Sequence, residues 1–191
     1  MTGNQEADGL VRGLSHRDPD LVGQLVEQYQ YRLFRYLLYL TRSSDKAEDI
    51  FQETWVRVLE RGHQYDGKSK FESWLFAIAR NLTIDYWRRN KLTVELEELG
   101  EATGVDAPVP FALQHALSAS DFVWRGEESE RIQTALGMLP AVQREILLLR
   151  FHEDFTLEEI AKLVAAPLST VKSRLYRGLN HLRHLLEGAQ A

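Results

Sequence analysis

Apolar residues recur along this chain at spacings of three and four residues, which is the periodicity of an amphipathic α-helix. The helices that this pattern predicts cover residues 18–40, 45–61, 69–90, 131–139 and 140–151, with a further helix pair within 156–186. No segment shows the alternation of apolar and polar residues that a half-buried strand needs. The sequence therefore predicts an all-α fold made of two small helical domains.

Capping residues and apolar spacing predict where these helices begin and what they bury. Capping boxes, in which a capping side chain is followed three residues later by Glu, occur at Asp45 and Glu48, Ser69 and Glu72, and Thr156 and Glu159. Apolar residues at helical spacing are predicted to pack inside the two domains. Among them are Leu59, Phe71, Leu75, Ile78, Leu82, Tyr86, Val142 and Phe151.

A tight break divides the segment from Thr156 to Leu186 into two helices. Pro167 cannot continue the first helix because it lacks an N–H, and Ser169 can cap the second. A helix-turn-helix of this kind presents its second helix to the major groove of DNA. The candidate DNA contacts on that helix are Thr170, Lys172, Ser173, Arg174 and Arg177. The alternative is an ordinary helical hairpin with a solvated basic face.

Charge is unevenly distributed along the 191 residues, whose net charge is −5. Residues 68–91 carry six bases and two acids, whereas residues 92–130 carry one base and nine acids. An acidic connector with weak periodicity and two prolines is typical of a linker. The predicted organisation is a polar N-terminal segment, a first domain, an acidic linker and a second domain, at residues 1–17, 18–91, 92–129 and 130–191.

Several classes of protein are disfavoured by what the sequence lacks. It has no cysteine, which excludes disulfides and thiolate metal sites. No apolar run could span a bilayer or serve as a signal peptide, so we expect a cytoplasmic protein that does not insert into membranes. No catalytic or phosphate-binding motif is present, and we expect no enzyme activity, cofactor or metal. His181 and His184 could touch a metal from one helix face, but a solvated pair is the favoured interpretation.

Two helix faces in the first domain have compositions suited to binding. Asp49, Gln52 and Glu53 share an acidic face that could meet a basic partner, although spacing alone favours a solvated face. A second face combines an aromatic ring, hydrogen-bonding side chains and cations. Single-stranded nucleic acid requires this combination, because bases stack on rings while cations follow the phosphates. Its members are Trp74, Asn81, Asp85, Arg88 and Arg89. For Trp74 and Trp87 a place in the core is the alternative.

These segments resemble a known protein family. The stretch LVEQYQYRLFRYLLYLTRSSDKAEDIFQETWVRVLERG and the later FESWLFAIARNLTIDYWRRNK resemble region two of the extracytoplasmic-function sigma factors of RNA polymerase. PAVQREILLLRFHEDFTLEEIAKLVAAPLSTVKSRLYRG resembles their region four, and the motifs AEDIFQETW and STVKSRL are the most specific. The run from Asp18 to Trp55 is also similar to the branch that controls cobalt and nickel efflux.

The resemblance implies a role for each surface. It implies docking on the clamp helices of the polymerase β′ subunit by Asp49, Gln52 and Glu53. It implies that the promoter's minus-ten element, melted to single strands, contacts Trp74, Asn81, Asp85, Arg88 and Arg89, with an unstacked base held near Tyr65 and Asn81. The duplex minus-thirty-five element would contact Thr170, Lys172, Ser173, Arg174 and Arg177. Further implied partners are the polymerase β flap and a membrane-anchored anti-sigma factor, and the linker would run towards the RNA exit channel.

The chain departs from the family pattern at the turn between the last two helices. Ala165 stands where family members usually have Gly, so a positive φ there would be strained and we expect the turn to differ locally and shift the recognition helix. Two other classes stay open. A stand-alone helix-turn-helix regulator would normally dimerise, yet no extra helix is predicted after Leu186. A scaffold of protein-binding helices would not need the basic and aromatic stripe on the third predicted helix.

Overall fold

The computed structural model of the chain describes residues 2–94 and 127–188, with side chains described for 7–89 and 131–187. The chain separates into two compact units, residues 1–108 and 109–191. The described residues form helices joined by short turns and contain no strand, which confirms the all-α prediction. Most of the predicted linker, residues 95–126, lies outside the described residues.

The first unit packs three long helices around one core and adds a helix at its N-terminus. Its elements are α1 (Thr2–Ser15), α2 (Pro19–Thr41), α3 (Ser44–Arg61), a 3₁₀ turn (Gly62–Gln64) and α4 (Phe71–Val94). Side chains from α2, α3 and α4 meet in the centre of the unit. The most deeply buried are Leu33, Tyr36, Leu37, Val58, Leu75, Phe76 and Ala79.

The N-terminal helix α1 was not predicted, because the sequence analysis treated residues 1–17 only as a polar segment. The helix ends in a Schellman motif, in which the N–H of Asp18 donates to the carbonyl of Gly13 and Arg17 adopts a positive φ of 54°. The Asp18 carboxylate then caps α2, with Pro19 in its first turn. Leu14 is buried at 2% exposure, so α1 belongs to the packed unit.

The structure corrects four details of the first unit. The cap of α3 is Ser43, whose hydroxyl accepts from the Lys46 N–H, and not Asp45. Helix α4 begins at Phe71 rather than directly after Ser69. The buried stripe of α4 is also rotated from the predicted one: its fully buried members include Phe76, Ala79 and Thr83. The predicted core residues Ile78, Leu82 and Tyr86 are only half-buried, and Leu59 of α3 is 39% exposed.

The second unit is built from four helices and a π-helical turn. They are α5 (Glu127–Met138), α6 (Ala141–Leu147), the π-helical turn (Leu148–His152), α7 (Leu157–Leu163) and α8 (Leu168–Gly188). Its core is mainly apolar and also buries the charged residues Arg144, Glu145 and Glu153. The most deeply buried residues include Leu139, Ile146, Leu149, Phe155, Ile160 and Val171.

Two predicted core residues of this unit are exposed, Val142 at 44% and Phe151 at 61%. The π-helical turn accounts for Phe151: the N–H of Glu153 bonds the carbonyl of Leu148, five residues back, so the turn holds an extra residue and rotates the face that follows. Apolar spacing that assumes a regular α-helix cannot reveal such a turn.

The helix-turn-helix forms as predicted, with one boundary corrected. Thr156 and Glu159 make the predicted capping box at the start of α7. Helix α8 begins at Leu168, and the N–H of Val171 donates to the carbonyl of Pro167. Ser169 therefore lies within the first turn of α8 and is not its cap.

The turn between α7 and α8 keeps a left-handed residue although that residue is alanine. Ala165 has a φ of +50°. Its N–H bonds the carbonyl of Lys162, and the N–H of Ala166 bonds the carbonyl of Ala161, which together make a Schellman motif. The left-handed turn is therefore formed with alanine, and the expected shift of the recognition helix stays a prediction. The positive φ of Ala165 costs about 1 kcal/mol of backbone strain, which is typical of a non-glycine residue in the left-handed region.

None of the helices at residues 2–94 and 127–188 combines the length and apolar character required to cross a bilayer.

Candidate polymerase and nucleic-acid interfaces

The outer face of α3 carries the three residues predicted to dock on a partner. Asp49 and Gln52 are exposed and Glu53 is half-buried. Each acid is paired within its own helix: the Asp49 carboxylate lies 3.5 Å from the Lys46 ammonium, and Glu53 lies 2.8 Å from the Arg57 guanidinium. Exposed pairs of this kind contribute only about 0.3–0.5 kcal/mol, so a basic partner surface can replace them at little cost.

An exposed valine lies in the middle of this acidic α3 face, and the sequence analysis missed it. Val56 is 46% exposed and follows Asp49 and Glu53 at spacings of seven and three residues, which places all three on one side of the helix. Leu59, at 39% exposure, extends the apolar area. The face thus combines two exposed apolar side chains with the acids Asp49 and Glu53. The signal in the sequence that could have revealed this exposed residue is a valine that lies among acids and does not follow the spacing of the buried residues of α3.

Helix α4 presents the predicted nucleic-acid stripe on the side opposite its core. At about 100° per residue, the directions of Trp74, Asn81, Asp85 and Arg88 fall within a narrow arc, and the last three are exposed. Arg89 is exposed beside them, and its Nε donates to the Asp85 carbonyl over 3.3 Å. The structure thus aligns one half-buried ring, one amide and two guanidinium groups along a single helix.

Tyr65, predicted to lie near an unstacked base, is buried at 3% exposure. Its ring centroid lies 5.7 Å from that of Phe71 and 5.4 Å from that of Trp74, and its hydroxyl donates to the Ser69 carbonyl at 2.7 Å. Burial raises the pKa of the Tyr65 hydroxyl, in keeping with a neutral donor. Tyr65 therefore shapes the loop of residues 65–70, and its ring is not open to a base.

The same loop displays a paired acid and base at its surface. Asp66 accepts hydrogen bonds from the ammonium and the backbone N–H of Lys68, and these lower the pKa of the Asp66 carboxyl. Behind the loop, Glu72 at the start of α4 pairs with Arg32 of α2. The Asp66 and Lys68 contacts thus hold the loop locally, whereas the Glu72 pair joins α4 to α2.

Helix α8 presents the predicted recognition residues across its exposed side. Ser173 and Arg177 point furthest from the core and are exposed. Thr170 and Arg174 lie on one flank and are half-buried, whereas Lys172 lies exposed on the other flank. Four of the five predicted residues therefore lie along the centre and one flank of the exposed side of α8, whereas Lys172 lies apart on the other flank. Tyr176, 69% exposed, lies between Lys172 and Ser173 around the helix.

A glycine that the sequence analysis did not single out sets how closely α8 packs. Gly178 is buried, and a Cβ there would lie 3.3 Å from Leu147 Cδ1 and 3.4 Å from Gln143 Cβ of α6. The α8 backbone can therefore approach α6 closely, and this contact orients the recognition side of α8.

No group of three or more His, Asp or Glu side chains within the described ranges is arranged to hold a metal ion. His181, considered as half of a metal-binding pair, has its Nδ1 at 3.3 Å from the Gln143 side-chain oxygen.

Comparison with known proteins establishes the family. Residues 25–93 match the family Sigma-70 region 2, and residues 129–182 match Sigma-70, region 4. The ECF RNA polymerase sigma factor SigX of Bacillus subtilis is 31% identical over 163 residues, covering 85% of this chain and 82% of that protein. SigW of the same organism is 29% identical, covering 92% and 94%. The chain belongs to the extracytoplasmic-function family of RNA polymerase sigma factors, which are transcription factors rather than catalysts.

Solved structures agree with the fold. The sigma factor RpoE, solved in complex with the anti-sigma factor NepR from Bartonella quintana, is similar with a TM-score of 0.68 at 26% identity, covering 86% of this chain and 96% of that one. CnrH, solved in complex with the cytosolic domain of CnrY, is similar with a TM-score of 0.66 at 21% identity, covering 94% and 96%. The likeness to CnrH shows the fold alone, so the resemblance to a cobalt and nickel branch stays a prediction.

Proposed function

We propose that this sigma factor docks on the β′ clamp helices of core polymerase through the acidic α3 face. The observation that carries the proposal is the stripe formed by exposed Asp49, half-buried Glu53 and exposed Val56. Its apolar side chain gains by being covered, while its acids can exchange weak pairs within the helix for stronger ones across an interface. The factor then acts in the cytoplasm, where core polymerase is found.

The α4 stripe is the candidate contact for the melted minus-ten strand. Asn81 can hydrogen-bond a base edge, and Arg88 and Arg89 supply charge for phosphates. Asp85 lies 4.0 Å from the Arg88 guanidinium, and both side chains are exposed. Trp74 borders the loop of residues 65–70, so an unstacked base would be held by that loop and by Trp74 and Asn81, with Tyr65 supporting the loop from below.

Helix α8 is the candidate reader of the duplex minus-thirty-five element. Ser173, Arg174 and Arg177 can reach base edges and phosphates in one major groove, while Lys172 on the far flank suits a phosphate contact. The second unit would also contact the β flap, and residues 92–129 would run towards the RNA exit channel. These assignments rest on the family resemblance together with the exposed positions of the side chains.

Control by an anti-sigma factor is part of the proposal. RpoE, similar to this chain over most of its length, was solved with such a partner. A partner that covers the acidic α3 face or the α4 stripe would block polymerase or promoter binding directly. A membrane anchor on that partner, and a response to cobalt or nickel, rest on the resemblance alone.

Run-off transcription with purified core polymerase on a fragmented genomic library tests the proposal. We expect new defined start sites only when the protein is added. The variant with both Asp49→Ala and Glu53→Ala should bind core polymerase at least tenfold more weakly, because both acidic contacts are removed. A tenfold loss in affinity corresponds to about 1.4 kcal/mol. A control with Asp8→Ala and Glu27→Ala removes two exposed acids from α1 and α2 and should bind normally.

Unchanged core affinity in the α3 variant would refute this docking face. If the wild-type protein yields no new start but binds a duplex site alone, it acts as a stand-alone regulator.

A further inference from the structure

The N-terminal helix α1 lies directly against the turn that enters the loop of residues 65–70. Gly62 is buried in that turn, and a Cβ built on it would lie 2.7 Å from the carbonyl oxygen of Leu14. A real Cβ essentially never comes that close to another heavy atom, so any side chain at position 62 would push α1 away. Backbone touches backbone here, and the position of α1 and that of the turn are coupled.

A second glycine repeats this arrangement inside the loop itself. Gly67 has a φ of +72°, and a Cβ on it would lie 3.1 Å from Val11 Cγ2 and 3.8 Å from Ala7 Cβ. Ala7, Val11 and Leu14 follow one another at spacings of four and three residues and so share one face of α1. That face covers the outer side of the loop.

The inner side of the loop is held by the aromatic residues already described. Tyr65 packs on Phe71 and Trp74, and its hydroxyl is bonded to the Ser69 carbonyl. The loop is therefore clamped between α1 outside and Tyr65 inside. Because Trp74 belongs to the α4 stripe, a movement of the loop can reach the nucleic-acid surface through the ring contact of Tyr65 with Trp74.

Helix α1 is itself firmly placed. Its Schellman motif leads without a spacer residue into the Asp18 cap of α2. Gly13 lies against the side chain of Leu21 in α2, so the two helices meet closely just before the turn. Helix α1 is thus held in a fixed position by α2 and can in turn hold the loop in place.

We propose that α1 is a positioning element for promoter recognition: by pressing Val11 and Leu14 on Gly67 and Gly62, it sets the shape of the loop of residues 65–70 and thereby base preference within the minus-ten element. The inference deepens the proposed function and rests on it. The residues of α1 act through the loop and touch no DNA themselves.

The first test measures the loop without transcription. The chain has no cysteine, so a Ser69→Cys variant carries a single thiol for a nitroxide label on the exposed loop. We expect Val11→Ala, which removes the methyl group nearest Gly67, to increase the label's mobility. Val26→Ala, at a half-buried valine of α2, is the matched control and should leave the mobility unchanged. Equal mobility in both variants would overturn the proposal.

The second test measures base preference. Run-off rates are compared on templates that differ at one minus-ten base, and the ratio between the preferred and the substituted base is recorded. We expect Val11→Ala and Gly62→Ala to reduce this ratio severalfold at one position, with core affinity retained. Gly9→Ala, on the same helix but with open space around it, should keep the wild-type ratio.

The outcomes separate the two claims. If a variant only reduces the amount of folded protein, the rate falls by the same factor on every template and the ratio between the two bases is unchanged. An unchanged ratio would overturn the positioning role of α1. If the wild-type protein starts no transcription while the label mobility changes as expected, the proposed function is refuted, and so is the role of α1 in base preference. The structural coupling between α1 and the loop would still be supported.

Discussion

The two regions proposed to contact DNA are held in place in different ways. In the first unit, the α4 stripe and the loop beside it depend on distant parts of the chain: α1 covers the loop from outside, and Tyr65 fills the space beneath it. In the second unit, α8 follows a turn whose hydrogen bonds all lie within a few residues, from the Thr156 capping box to Ala166. Removing one buried side chain should therefore disturb the loop beside α4 strongly. Changes in the turn before α8 should have small effects, because the packing of Gly178 on Gln143 and Leu147 of α6 also holds α8 in place.

The largest effect should follow removal of the ring beneath the loop. Tyr65→Ala deletes a side chain that is 3% exposed and should lower the free energy of unfolding of the first unit by about 3–5 kcal/mol. Tyr65→Phe removes only the hydrogen bond to Ser69 and should cost about 1 kcal/mol. Denaturant unfolding followed by circular dichroism measures both. Tyr176→Ala, at an exposed tyrosine, is the control and should change stability by less than about 0.5 kcal/mol. Equal losses in Tyr65→Ala and this control would refute the supporting role.

An intermediate effect is expected on the recognition helix, and it concerns binding rather than folding. Arg174→Ala should cost about 1–3 kcal/mol on the preferred minus-thirty-five duplex and relax the preference at one position if Arg174 contacts a base. A phosphate contact would instead weaken all sequences alike. Titration against duplexes substituted at single positions distinguishes these results. No loss on any duplex would remove Arg174 from the interface.

The smallest effect tests the strained turn. Ala165→Gly should stabilise the second unit by about 0.5–1 kcal/mol, because glycine adopts a positive φ without strain. Ala166→Gly is the matched control: Ala166 has no positive φ, so glycine there should give no gain. Thermal unfolding of the two variants beside wild type measures the difference. A stability loss in Ala165→Gly would mean that the left-handed conformation costs nothing here.

The agreement between sequence and structure follows the same division. Helix α2, the capping box of α7 and the helix-turn-helix were predicted correctly, because their signals lie in residues close together in the sequence. These signals are the apolar spacing of α2, the pair Thr156 and Glu159, and the break at Pro167. The errors concern the missed helix α1, the starts of α3, α4 and α8, which were misplaced by one or two residues, and the packing. Leu59 and Phe151 were assigned to the core from apolar spacing and are exposed, the latter because a π-helical turn shifts the register. The docking and DNA-contact assignments stay predictions until the binding experiments are done.

The sequence by itself determined that the chain is helical, where most helices begin and end to within a few residues, and which family it belongs to. These properties depend on periodicity, caps and family motifs, which involve residues close together in the sequence. Only the tertiary structure decided that α1 exists and covers the loop, that Tyr65 lies beneath it, and that Val56 is open to a partner. The physical reason is that burial depends on which surfaces meet. A Gly62 that must touch Leu14, 48 positions earlier, looks in the sequence like any other glycine after a helix.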